Sequence, residues 1–89
     1  MNIKVDASFT KDFKKLKNVQ LQNRIVQKLE ELEQSDTIKN LANIKKMQGF
    51  SNFYRLRVGD YRIGFELEND TTLTLIRVAH RKDIYAIFP

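Results

Sequence analysis

Arginines at positions 55, 57 and 62 crowd the stretch YRLRVGDYRIGF, Tyr54 to Phe65. The chain's single histidine follows in RVAHRKDIY, where His80 and Arg81 stand close before Tyr85. Cations beside a tyrosine and a histidine suit phosphodiester chemistry. Guanidinium groups stabilise the charge that develops on a phosphoryl group while an RNA 2′-hydroxyl attacks in line, and no metal ion is needed. Other chemistries have no foothold. There is no cysteine and only one histidine, which leaves no recognisable zinc set, and Glu30, Glu31 and Glu33 fall on a helix exterior instead of converging. No phosphate-cradling glycine loop and no Ser/His/Asp arrangement occurs, so neither a metal nor a cofactor is expected.

The formal charge of +5 and pI near 9.6 favour anionic partners, and Lys45-Lys46 adds a basic pair in what reads as a loop. At 89 residues, with 42% hydrophobic residues, the expectation is one domain over residues 1–89 with a thin core. The opening MNIKVDASFT lacks the apolar core of a signal peptide, and no run of eighteen apolar residues occurs. No membrane partner is expected, and a cytoplasmic location is the default.

The elements that must position the cations follow from periodicity. Ile3 to Asp6 alternates and predicts a first strand. Ser8 is then the expected helix cap, with Asp12 near the helix's positive end. Phe9, Phe13 and Leu16 share one helical face, and Leu21, Ile25, Leu29 and Leu32 repeat the pattern after a break near Asn18, predicting a helical hairpin. Thr37 to Asn52 reads as a loop with one helical turn. Three strand-like runs follow, at Phe53–Val58, Tyr61–Leu67 and Thr72–Val78, and the C-terminal end predicts a short strand or turn. The fold class is α+β, β-α-α-β-β-β, an antiparallel sheet with the helical hairpin on one face.

Three arginines in apolar strands raise a question of burial, and parity answers it. If Gly59-Asp60 is a two-residue hairpin loop, Val58 pairs with Tyr61, Leu56 with Ile63 and Tyr54 with Phe65, making one apolar face. Arg57 then pairs with Arg62 and Arg55 with Gly64, so all three arginines project from the other face. Directly opposed like charges cost about 0.2–1 kcal/mol, which a bound polyanion relieves, as does splaying of the guanidiniums in water. In the third run, Leu73 and Leu75 share a face with Arg77, and Ile76 and Val78 take the other.

Together, YRLRVGDYRIGF and RVAHRKDIY resemble the RelE branch of the RelE/ParE superfamily of type II toxins, and the layout of strand, helical hairpin and sheet extends the resemblance over nearly the whole chain. It implies a toxin that enters the ribosomal A site and cleaves mRNA, held inactive by a cognate acidic antitoxin, with operator DNA bound only by the toxin–antitoxin complex. Carried over position by position, Arg62, Arg81 and Tyr85 fall in the catalytic set and Arg55, Arg57 and Tyr54 in the RNA-binding set; the chain's own chemistry adds His80 to the first and the basic pair Lys45 and Lys46 to the second. The best-known member of the family carries lysines where Arg55 and Arg57 stand. Arginine stays protonated, so the general base must be another group: His80, Tyr85 or Glu66. Two rival readings follow from the same resemblance: a ParE-like DNA gyrase inhibitor, and a catalytically inactive basic module that co-represses its operon with the antitoxin.

Overall fold

The computed structural model describes residues 1–89, the side chain of Asn40 excepted. Strand β1 (Asn2–Val5) leads into α1 (Ala7–Lys15) and α2 (Val19–Gln34). After a single 3-10 turn at Ile38–Asn40 come β2 (Ile44–Lys46), β3 (Phe53–Val58), β4 (Tyr61–Asn69), β5 (Thr72–His80) and a final helical turn, α3 (Ile84–Ile87). The strands form one sheet in the order β1-β5-β4-β3-β2.

The helical hairpin forms as its periodicity dictates, with different end chemistry. Asp6, not Ser8, caps α1: its carboxylate accepts from the Ser8 backbone N–H at 3.1 Å, and the Ser8 hydroxyl, with one proton to give, lies within hydrogen-bonding reach of both that carboxylate and the Ile76 carbonyl. Asp12 lies beyond the first turn of α1, so its task is not the helix dipole. It receives Arg77 Nε at 2.7 Å, Arg77 Nη2 at 3.1 Å and the Val78 N–H at 3.1 Å, tying the helix to β5. Asn18 caps α2 by accepting from the Leu21 N–H, and Gln22 donates to the Leu16 carbonyl, closing the turn between the helices.

Two features of the sheet differ from the expected layout. β1 pairs with β5 in parallel, so the sheet is mixed instead of antiparallel. These strands are not joined by a tight turn, which would have forced them antiparallel, and the helical hairpin between them leaves their relative direction free. Ile44–Lys46 is a strand where a loop is expected, pairing Ile44 with Leu56, Lys45 with Arg55 and Lys46 with Tyr54. A three-residue edge strand carries too little alternation to announce itself.

The β3–β4 pairing is the one parity requires, and Gly59 takes the positive φ of +59° that its turn demands. In β5 parity is broken. Gly64 faces Arg77 while Phe65 faces Leu75, so Ile76 is the extra residue of a bulge. The bulge returns Val78 to the side of Leu73 and Leu75, and all three are buried, contrary to the simple alternation. The main core lies on this side, where Phe9, Leu21, Ile25 and Leu32 of the helices meet Leu56, Ile63 and Phe65 of the sheet. Each fully buried side chain there stabilises the fold by about 1.5–3 kcal/mol relative to exposure.

Candidate functional site: a cationic cavity on the face away from the helices

Since Tyr54, Leu56 and Val58 point toward the helices, Arg55 and Arg57 point away, joined by Arg62 from β4 and Lys45 from β2. The like charges of Arg57 and Arg62, directly opposed, are separated by side-chain direction. Arg62 Nη1 donates to the carbonyls of Gly59 and Tyr61, each at 2.9 Å, which turns its guanidinium toward the end of the hairpin, while Arg57 stays exposed.

The C-terminal segment then crosses onto this same face. Gly64 lies directly opposite Arg55, and a Cβ built there would stand 2.5 Å from the ring of Phe88. A glycine in mid-strand is ordinarily a weakness, and here it is the gap that admits an aromatic ring. Phe88 is 2% exposed and packs edge-on to Phe53 at 5.6 Å. Ile84 is wholly buried, and both stand apart from the main core as a small second cluster. Between these anchors Tyr85 is 68% exposed, with the Arg55 guanidinium carbon 4.5 Å from its ring centroid. Such a cation–π contact at an exposed site contributes about 0.5–1 kcal/mol. Arg55 Nε is buried with no hydrogen-bond partner among the described residues. The Arg55 guanidinium, within hydrogen-bonding reach of the phenol and acting also through its charge, holds the Tyr85 pKa below the usual tyrosine value. Arg62 and Lys45 add to this, against a small opposing effect of burial.

Lys45, Arg55, Arg57, Arg62 and Tyr85, with Asn43 and Ile44, line a half-open cavity of about 410 Å³. No carboxylate lines it, so its field is cationic throughout. It can hold an anionic group against several guanidinium donors with a phenol at the edge. Among the described residues no group of three or more His, Cys, Asp or Glu side chains could hold a metal ion.

Not every residue expected in the site arrives there. Tyr54 stacks on Phe65 at 5.6 Å on the helix side, lining a different cavity of about 470 Å³ beside Ile38 and Leu67, and Lys46 shares its register position. His80 pairs with Tyr61, their rings 5.4 Å apart, so alternation puts it on the side of the sheet opposite the arginines. Its Nδ1 accepts from the Lys82 N–H. The structure thus separates His80, Tyr54 and Lys46 from the cationic cavity. Arg81 does not line it either, although its backbone N–H donates to the Asp60 carbonyl at 2.7 Å and holds it beside the hairpin turn. Glu66 accepts from Asn52 at 2.8 Å and is likewise absent from the lining. Arg77 is spent on Asp12. Sequence reasoning missed the seat of Phe88 on Gly64, although a lone glycine inside YRIGF is the kind of signal that marks a close approach.

Comparison with known proteins agrees with this architecture. The family model described as ParE toxin of the type II toxin-antitoxin system parDE matches residues 3–85. Toxin RelE3 of Methanocaldococcus jannaschii is 41% identical over 90 residues, covering the whole of both chains. In the crystal structure of the RelB-RelE antitoxin-toxin complex from Methanococcus jannaschii, the matching chain superposes with a TM-score of 0.80 at 40% identity, covering 97% of this chain and 99% of that one. The intact E. coli RelBE complex matches in fold, with a TM-score of 0.68 at 22% identity over 89% of this chain and 94% of that one. With its mixed sheet, helical hairpin and arginine-bearing β3–β4 ribbon, the chain belongs to the RelE/ParE superfamily of type II toxin-antitoxin toxins, as a RelE-like member.

Proposed function

We propose that the protein is a ribosome-dependent mRNA endonuclease that inhibits translation, acting without a metal ion through the cavity of Arg55, Arg57, Arg62, Lys45 and Tyr85. One observation carries the reading: four cations and a phenol converge on one concave surface with no carboxylate among its lining residues. Arg55, Arg57 and Lys45 hold the phosphate backbone. The Tyr85 phenolate takes the proton of the attacking 2′-hydroxyl, a task arginine cannot perform. Arg62 stabilises the charge of the five-coordinate phosphorus, and Arg81, beside the hairpin turn, stabilises the departing 5′-oxygen while solvent water supplies its proton. The products are a 2′,3′-cyclic phosphate and a free 5′-hydroxyl. His80 has no part in this scheme, because it faces the other side of the sheet.

The partner that silences such an activity is an antitoxin, as the RelB-RelE complex of the 40%-identical relative suggests. An acidic segment complements the cationic cavity and covers it.

Purified protein added to ribosomes translating a defined mRNA, with the new 5′ ends mapped, tests the reading. The expected result is cleavage at the A-site codon, reduced about 100–1,000-fold in Arg62→Ala, the usual loss when one transition-state donor is removed. Well-folded protein that never cuts overturns it. The match to a ParE-toxin model favours gyrase as the target in that event, and loss of negative supercoiling by purified gyrase in its presence would establish that second reading.

A further inference from the structure

α3 spans only Ile84–Ile87, and a single helical turn does not hold its shape alone. Tyr85, at 68% exposure, is not fixed by burial, and its ring meets the Arg55 guanidinium on one face. Its place must come from the two residues of this segment that the chain buries: Ile84, wholly buried, and Phe88, 2% exposed and seated over Gly64 on the arginine face. Phe88 closes the turn by donating its N–H to the Ile84 carbonyl at 2.9 Å. Its ring fills the space over Gly64, where even a methyl group would come within 2.5 Å, and Phe53 stands edge-on against it at 5.6 Å. Gly64 is also the register partner of Arg55. One point of the sheet therefore sets both members of the stacked pair, Arg55 through β3 and Tyr85 through Phe88.

We propose that Phe88, seated on Gly64, is a positioning residue that holds the Tyr85 ring against the Arg55 guanidinium. Its catalytic consequence rests on the endonuclease reading, but the positioning itself does not. The charged groups facing the phenol are Arg55 from β3, Arg62 from β4 and Lys45 from β2, with Arg57 on the same cavity wall. The carboxylate nearest in the chain is Asp83, exposed at the head of α3. With Phe88 unseated, Tyr85 leaves these cations and titrates as an ordinary tyrosine.

The test is a pH titration of the full chain carrying ring-labelled ¹³C-tyrosine, with Tyr85 assigned by its loss in Tyr85→Phe. In Phe88→Ala the Tyr85 midpoint rises toward the ordinary value, and Phe88→Leu recovers most of the wild-type midpoint. Gly64→Ala gives the same rise, because its methyl group evicts the ring. Combining Gly64→Ala with Phe88→Ala raises the midpoint no further than either change alone, because both remove the same seat, a non-additivity that separate structural defects do not produce. If Phe88→Ala does not fold, Gly64→Ala read against wild type decides. On programmed ribosomes the single-turnover cut rate falls about 10–100-fold along with the midpoint shift, at unchanged ribosome affinity. A Tyr85 midpoint that stays at its wild-type position in the folded Phe88 and Gly64 variants overturns the proposal. Wild-type protein that cuts nothing, with the midpoint shifting as described, overturns the endonuclease reading alone.

Discussion

On the helix side of β3 and β4, Leu56, Val58, Ile63 and Phe65 are all at most 4% exposed. On the other side, alternate residues of the same two strands, Arg55, Arg57 and Arg62, line an open cavity. Both faces are built on one backbone register, yet they answer to opposite demands. The helix side removes apolar surface from water and is packed by two helices. The arginine side concentrates like charge, which the fold by itself does not favour, and holds it with local devices: Arg62 tied to its own turn carbonyls, Arg55 stacked on Tyr85, Arg77 neutralised by Asp12. On that side the ring of Phe88 is buried over Gly64 against half-buried Phe53, and it serves to place a side chain as well as to fill space. A sheet whose stability is supplied by one face is free to carry an unfavourable charge arrangement on the other.

The division can be broken from the helix side first. Ile63 is wholly buried, so Ile63→Ala should lose about 2–5 kcal/mol in urea unfolding, while the remaining folded protein cuts mRNA at the wild-type rate; a cut rate that falls in proportion to stability would join the two faces. A smaller effect is expected from Arg55→Ala. Arg55 favours the phenolate of Tyr85 and so lowers its pKa, and removing the guanidinium raises it back toward about 10. The pH–rate profile of cleavage should keep its rising limb but move it to higher pH, with the loss greatest near neutrality and shrinking as the phenol ionises. An inflection that stays in place in Arg55→Ala would remove Tyr85 as the base. Smallest is Arg57→Ala. It relieves the direct opposition to Arg62 and should stabilise the fold by about 0.2–1 kcal/mol, measured by chemical denaturation, while reducing the salt dependence of RNA binding by about one phosphate contact. A variant that is less stable would show that the arginines support the fold instead of taxing it.

Much of the site was legible before any coordinates. The Gly59-Asp60 turn fixes the register of β3 against β4, and a period of two then assigns every side chain of the ribbon to a face; that is why Arg55, Arg57 and Arg62 could be placed together and Tyr54 set apart from them. The resemblance added Tyr54 to the site, and the need for a base other than arginine added His80; the register takes both away from the cavity. Parity failed in β5, where the bulge at Ile76 leaves no mark in composition, and β2 was hidden by its brevity.

What the sequence determined by itself is local. Apolar spacing made the two helices, a glycine with positive φ made the hairpin, and alternation separated the charged face from the core. Tertiary structure alone decided which distant pieces meet. β1 lies parallel to β5, Asp12 takes Arg77 out of the cationic set, and Phe88 settles on Gly64, twenty-four residues earlier in the chain, bringing Tyr85 to Arg55. The physical reason is range. Backbone preferences and side-chain periodicity act over a few residues, whereas a contact between residues far apart in the chain exists only once the sheet has fixed their distance.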